Sequence, residues 1–311
     1  MPLATTVAGI PLDHPIMNGA GWACKTLEDV HVLAKAPVSA IVVGSITKEP
    51  RSGNPGSVFW QDPAGVYSLN SLGLPNQGWP YYGENLQHMK RIAHDAGKPL
   101  MVSIACFSPE EYAELAGLVA SEDVDVVELN LGCPNVWGPG GQKPIASYEP
   151  RLIEEILQLV EKELEYSRAR VAVKISPLPP TILVEVASVI TEYEAVEIVT
   201  ATNTIPNGFA WGHVWKPAID PGDGLAGIAG PALKPVSMGV IKQLCALLPD
   251  TIDIIAAGGV RSATDVVDYL NISPRVKAVQ VVTAHANEGP RVFDRILTGF
   301  VSLKEQETVV S

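Results

Sequence analysis

The chain has 311 residues, a formal net charge of −12, and 47% hydrophobic against 18% charged residues. That balance fits a compact globular protein and excludes a disordered one. The acidic surplus argues against nucleic acid and anionic lipid as partners, since both need a basic surface. There is no basic, apolar leader and no apolar run long enough to span a bilayer, so the expected location is cytoplasmic.

Runs rich in valine and isoleucine alternate with helical patterns along the chain. Strands are predicted over 16–19, 40–45, 100–105, 124–131, 171–175, 196–200, 252–257 and 278–282. Helices fit between them over 26–34, 84–96, 109–121, 149–166, 180–193, 233–248, 263–271 and 291–305. Strict alternation implies an α/β protein with a parallel sheet. A (β/α)8 TIM barrel is the economical closure because it leaves no edge; a doubly wound open sheet is the alternative. No repeat or linker divides the chain, so residues 1–311 are expected to form a single domain. Two segments, 49–79 and 203–228, break the rhythm with Gly, Pro, Asn and Ser. Loops of this length at the C-terminal face are expected to be functional or to carry small extra strands or hairpins.

The stretch Glu128-Leu129-Asn130-Leu131-Gly132-Cys133-Pro134-Asn135 puts a thiol and two carboxamides where a buried strand opens into a loop. Proline ends the ladder there, and barrels keep their chemistry at that end. Cys133 is a candidate base, against the plainer reading of a small buried hydrophobe. Asn70, Asn203 and Thr204 sit at other strand ends or loops on the same side, each also readable as a local turn. Four amides with one lysine suit a neutral or singly charged heterocycle. That lysine is Lys174, inside the run Val171–Ile175: either a buried structural ion pair or a cation aimed at an electron-rich ligand. Gly224–Gly230, Gly258-Gly259 and the end of the eighth strand at Thr283 suggest a phosphate-bearing cofactor. No Gly-x-Gly-x-x-Gly joins a strand to a helix, which argues against a Rossmann site. The four cysteines form no Cys-x-x-Cys pair, so no metal is expected.

Together the stretches 17–21, 51–55, 68–76, 128–136, 174–177, Asn203, 224–235, 258–259 and 288–295 resemble the class 1 dihydroorotate dehydrogenases. The likeness is clearest to the single-subunit, fumarate-using branch in residues 18–26 and Tyr81-Tyr82. The resemblance implies an FMN barrel that oxidises dihydroorotate to orotate in pyrimidine biosynthesis. It implies Cys133 as the base at C5 and hydride transfer to flavin N5. Asn70, Gly73, Leu74, Asn130, Asn135, Asn203 and Thr204 are then expected at the substrate. Ala20, Gly21, Ser45, Asn130, Lys174, Gly227, Gly230, Gly258, Gly259 and Thr283 are expected at the flavin. Fumarate is the expected acceptor, and a homodimer is expected by analogy.

Three departures stand out. Class 1 members usually carry a lysine where this chain has Gly44. Lys25, in the first loop, either restores that charge at the substrate or is a solvated helix-start residue. The loop after Cys133 is lengthened by Trp137-Gly138-Pro139-Gly140-Gly141, and Val282 replaces a family glycine. The competing readings are a relative acting on another dihydropyrimidine or an unsaturated acid, and a non-catalytic flavin-binding barrel.

Overall fold

The structure is a computed structural model that describes residues 3–138 and 140–310. Pro139 of the lengthened loop lies outside the described residues. Eight parallel strands form the core: β1 (Ile16–Asn18), β2 (Ile41–Ile46), β3 (Leu100–Ile104), β4 (Val126–Asn130), β5 (Arg170–Ile175), β6 (Val196–Ala201), β7 (Asp253–Ala257) and β8 (Val276–Val281). They are hydrogen-bonded in the order β1-β8-β7-β6-β5-β4-β3-β2. Helices α1 (Leu27–Lys35), α2 (Gly78–Asp95), α3 (Pro109–Ser121), α4 (Pro150–Glu163), α5 (Pro180–Thr191), α6 (Lys234–Leu247) and α7 (Ala263–Leu270) follow the first seven strands. A short α8 (Thr283–Glu288) and the long α9 (Arg291–Val310) follow the eighth. This is the expected barrel. Each strand boundary falls within two residues of its expected place, whereas α2 begins six residues early. There the Asn76 Oδ1 accepts from the Gly78 N–H (2.8 Å) and starts the helix sooner. The short α8 was not anticipated.

The remaining seam, between β1 and β2, is closed mainly by side chains. Asn18 is fully buried, and its carboxamide stands in for a peptide group. Its Nδ2 donates to the Val42 carbonyl (2.7 Å) and its Oδ1 accepts from the Val42 N–H (3.0 Å). Ser39 adds its N–H and its hydroxyl to the Ile16 carbonyl, both at 2.9 Å.

Strand periodicity sorts the barrel interior into layers. The lowest layer is apolar: Met17, Val42, Met101, Val126, Ala172, Ile198, Ile255 and Ala278 form one buried cluster. An N-terminal hairpin (Thr5–Val7 with Ile10–Leu12), missed in the sequence, plugs it from below with Val7 and Leu12. Two residues further along the strands the interior turns polar, with Ser103, Glu128, Lys174, Thr200 and Gln280 all buried. The rim above carries the candidate site. The outer faces of the strands pack against the helices in a single large apolar cluster.

The two long loops do carry extra strands. Phe59–Gln61, Ser68–Asn70, Ala226–Ala229 and Ile205–Gly208 form a four-stranded antiparallel sheet built from both segments. The lengthened loop after Cys133 pairs Trp137–Gly138 with Gly141–Gln142.

Asn18→Ala would leave both peptide groups of Val42 unpaired in a dry seam. The expected loss is about 2–4 kcal/mol of unfolding free energy, from about 1–3 kcal/mol per unsatisfied buried group. Urea denaturation of the ligand-free protein measures it; a loss below about 1 kcal/mol would mean that the seam closes without this carboxamide.

Candidate active site

The barrel opens at its C-terminal end into a cavity of about 300 Å³. Ala20, Gly21, Lys25, Ser45, Asn70, Gly73, Leu74, Asn130, Cys133, Asn135, Lys174, Asn203, Thr204, Gly230, Gly258, Gly259 and Thr283 all line it. Of the residues expected at the substrate or the flavin, Gly227 alone is not in the wall. It lies one layer back, where its N–H donates to Asn135 Oδ1 (3.1 Å) and its carbonyl accepts from Asn70 Nδ2 (3.2 Å). A Cβ at position 227 would lie 2.2 Å from Thr204 Oγ1, so glycine is required by close approach.

The four carboxamides form two linked pairs. Asn135 Nδ2 donates to Asn70 Oδ1 (3.0 Å), and Asn203 Nδ2 donates to Asn130 Oδ1 (2.9 Å). Asn130 Nδ2 also donates to the Ser45 hydroxyl (2.8 Å), which shares a hydrogen bond with Ser103 Oγ (2.9 Å). Each carboxamide carries two N–H donors, so these bonds fix the planes and leave donors free for a planar ligand. Asn54 ties the first long loop to the Cys133 loop by donating to the carbonyls of Ser71 (2.8 Å) and Asn135 (3.0 Å).

Cys133 is partly exposed, at the boundary between this cavity and a smaller one of about 140 Å³ that extends under Phe107 and Val136. Burial pushes its thiol above the ordinary value. The Asn135 backbone and the cations Arg51, Lys25 and Lys174 pull the other way. Lys25 is not a solvated helix-start residue: its ammonium is held by the Pro75 carbonyl. Burial lowers it to about 8, partly offset by Cys133 and Asp29.

Lys174 sits between a buried carboxylate and the cavity. Its Nζ lies 3.8 Å from Glu128 Oε1 and 3.3 Å from Gln280 Oε1, and it also faces the cavity. Around Gly258-Gly259 the backbone has positive φ, +127° and +69°, and a Cβ at 258 would lie 2.2 Å from Ser237 Oγ. Tyr269 fixes this loop by donating its hydroxyl to the Gly258 carbonyl (2.6 Å). The glycine-lined wall at Gly230, Gly258 and Gly259, beside Thr283, leaves room for the close approach of a phosphate. The free donors of Lys174 and the asparagines fit the polar edges of a flavin-like ring.

Sequence reading missed Trp22, Gln61, Thr202, Gln280 and Arg261, which also line the cavity. Gln280 had a usable signal, a glutamine inside the apolar run 276–282. Trp22 and Gln61 had none, because long-range packing brings their loops together; Trp22 meets the Phe59 ring edge-on at 5.3 Å.

Fold and site define a barrel with a cofactor-sized mouth, a poised thiol and a ring of amides. The profile of the family described as Dihydroorotate dehydrogenase matches residues 2–303, and the chain belongs to that family. It is 32% identical over 308 residues to dihydroorotate dehydrogenase A (fumarate) of Lactococcus lactis subsp. cremoris strain MG1363, covering 98% of this chain and 95% of that protein. The enzyme of the same name from L. lactis subsp. lactis strain IL1403 is 33% identical over 298 residues, covering 95% and 92%. In fold, the chain superposes on dihydroorotate dehydrogenase (DHODH) from Eimeria tenella in complex with ferulenol, with a TM-score of 0.82 at 20% identity over 99% of this chain and 86% of the other. The ligand-free Eimeria enzyme gives the same score and identity over 98% and 88%.

Because burial outweighs the nearby cations at Cys133, its alkylation by iodoacetamide is expected to rise with pH only beyond the ordinary thiol value of about 8.5. Mass spectrometry of the ligand-free protein across a pH series reads this directly. A midpoint below that value would show that the cations prevail over burial.

Proposed function

We propose that this chain oxidises dihydroorotate to orotate, with FMN bound in the barrel mouth, as a step of pyrimidine biosynthesis. The observation that carries the reading is the placement of the Cys133 thiol in the same cavity as four asparagines, Lys174 and the Gly258-Gly259 cradle. Asn70, Asn130, Asn135 and Asn203 hold the pyrimidine ring by its carbonyl and N–H groups. Cys133 Sγ takes the proton from C5. Lys25, with the N–H groups of Gly73 and Leu74, receives the carboxylate. Gly230, Gly258, Gly259 and Thr283 hold the cofactor phosphate. Ala20, Gly21, Ser45, Asn130 and Lys174 hold its ring, and Gly227 acts indirectly by fixing Asn70 and Asn135. FMN, when bound, supplies the acceptor for the hydride that leaves C6.

Fumarate as reoxidant is supported by the printed name of the Lactococcus relatives. A cytoplasmic, single-domain homodimer completes the reading. Among the described residues no helix is long and apolar enough to cross a membrane.

A second reading, an uncharged dihydropyrimidine as substrate, is favoured by Gly44 and by the ease with which Lys25 loses its charge. Stopped-flow reduction of the FMN-loaded protein by dihydroorotate and by dihydrouracil decides between the two. Cys133→Ala is expected to keep FMN and to slow reduction by roughly 10²–10⁴-fold, the contribution of a positioned base. Reduction at the parent rate would remove Cys133 from the mechanism. Failure to take up FMN would remove the whole reading.

The Lys25 proposal has its own pH signature. A lysine lowered to about 8 is cationic below that pH and neutral above it. Orotate affinity is therefore expected to fall as pH rises through and beyond 8, since the bound carboxylate itself favours the charged amine. Lys25→Ala should flatten this dependence and weaken orotate by about 1–3 kcal/mol, the scale of a hydrogen bond to a charged group. Uracil binding should change much less. Calorimetric titration across this pH range checks it, and a parent affinity that stays flat there refutes it.

A further inference from the structure

Beneath the cavity floor lies a carboxylate with no role so far. Glu128 is fully buried in the barrel interior. Its Oε2 accepts from the Thr200 hydroxyl (2.9 Å) and from Gln280 Nε2 (3.3 Å). Its Oε1 has no hydrogen-bond partner among the described residues, although it is buried. The nearest cation to that atom is the Lys174 ammonium, 3.8 Å away.

A structural ion pair in a dry interior should close to hydrogen-bonding distance, because only direct contact offsets the desolvation of both charges. This pair is held apart. Thr200 and Gln280 grip Glu128 by the other oxygen, and Gln280 Oε1 accepts from Lys174 at 3.3 Å. Gln280 thus touches both charges, and it too lines the cavity. The ammonium has three donors, and this arrangement engages one of them. The others are left for a ligand in the cavity, while the carboxylate offsets part of the positive field the lysine projects there.

We propose that Glu128 is a positioning residue that acts through Lys174, setting how much positive charge Lys174 presents to the cofactor ring and thereby the ring's readiness to accept electrons. The inference rests on FMN occupying the cavity. Electron density gathers at the pyrimidine edge of a flavin on reduction, and a nearby cation favours it. With Glu128 ionised, the field is moderated; without it, the field is full.

The test is a cycle of four FMN-loaded proteins: parent, Glu128→Gln, Lys174→Met and the double variant. The reduction potential of bound FMN is measured against a dye of known potential. Sulfite, which adds to electron-poor flavins, gives a second readout independent of turnover. Glu128→Gln is expected to shift the potential positive and to tighten sulfite binding roughly tenfold, the scale of one charge acting over several ångströms at an effective dielectric constant near 20. In the Lys174→Met background the same replacement should change both much less, because the ammonium that Glu128 positions is gone.

If Glu128→Gln fails to fold, Glu128→Asp keeps the charge but withdraws it from Lys174, and a smaller positive shift is expected. A potential unchanged in whichever of these variants folds overturns the proposal, as does an equal shift with and without Lys174. A merely structural pair would lower the unfolding midpoint and leave the potential alone. If the parent itself takes up no FMN, it is the cofactor reading that has failed.

Discussion

The closure of the barrel depends above all on one fully buried carboxamide, that of Asn18, with Ser39 beside it. Seven of the eight strand junctions are ordinary parallel ladders, but β1 is three residues long and cannot make a full ladder to β2. Asn18 supplies the missing donor and acceptor from its side chain. Once the seam is shut, inward-facing residues on neighbouring strands must stack in layers, since alternate residues point to the same side. The apolar floor, the polar middle layer and the reactive rim are therefore one consequence of closure read at three heights. Met101 and Ser103 on one strand, and Val126, Glu128 and Asn130 on the next, show the same climb from oil to chemistry.

The electrostatics of the site run against those of the whole molecule. A chain of net charge −12 gathers Lys25, Arg51 and Lys174 within reach of one thiol. Each cation is held by carbonyls or rings that do not neutralise it, apart from the separated contact of Lys174 with Glu128. Arg51 donates Nε to the Gly73 carbonyl (3.1 Å) and lies over the Phe107 ring at 5.0 Å; Lys143 lies over the same ring at 4.2 Å. Lys25 and Arg51, held this way, and Lys174, only partly offset by Glu128, focus a positive potential at the mouth, which attracts anionic substrates and favours the thiolate once it forms.

The sequence made the barrel legible because parallel strands buried on both faces read as continuous Val and Ile runs. It made Cys133, the asparagines and Lys174 legible because each is a polar residue breaking such a run or ending it. The N-terminal hairpin was hidden, since its two strands are three residues each and carry no repeated alternation. Asn18 was hidden as well: one asparagine near a strand end gives no hint that it closes a seam. Trp22 and Gln61 depend on how distant loops pack, which local pattern cannot encode. For Lys25 a single register step separates cavity from solvent, which local pattern cannot decide; the Pro75 carbonyl holds its ammonium at the cavity wall.

The lysine that the class 1 resemblance leads one to expect at position 44 has no room there. Gly44 has φ of +128°, and a Cβ there would lie 2.5 Å from the Ser103 carbonyl oxygen. A lysine at 44 would have to push β3 away. Ser103 cannot move freely, because its hydroxyl bonds to Ser45, and Ser45 takes a hydrogen bond from Asn130. Restoring the class 1 lysine would therefore disturb a carboxamide at the heart of the site. The same logic applies across the mouth. The Val282 methyls stand within 2.9 Å of where a Cβ at Gly19 or Gly21 would be, so valine at 282 needs glycine at both facing positions. The first loop carries these two glycines and also Lys25. Its path is thus tied to the residues at 44 and 282, by the Gly44 N–H that donates to the Cys24 carbonyl (3.0 Å) and by the Val282 methyls.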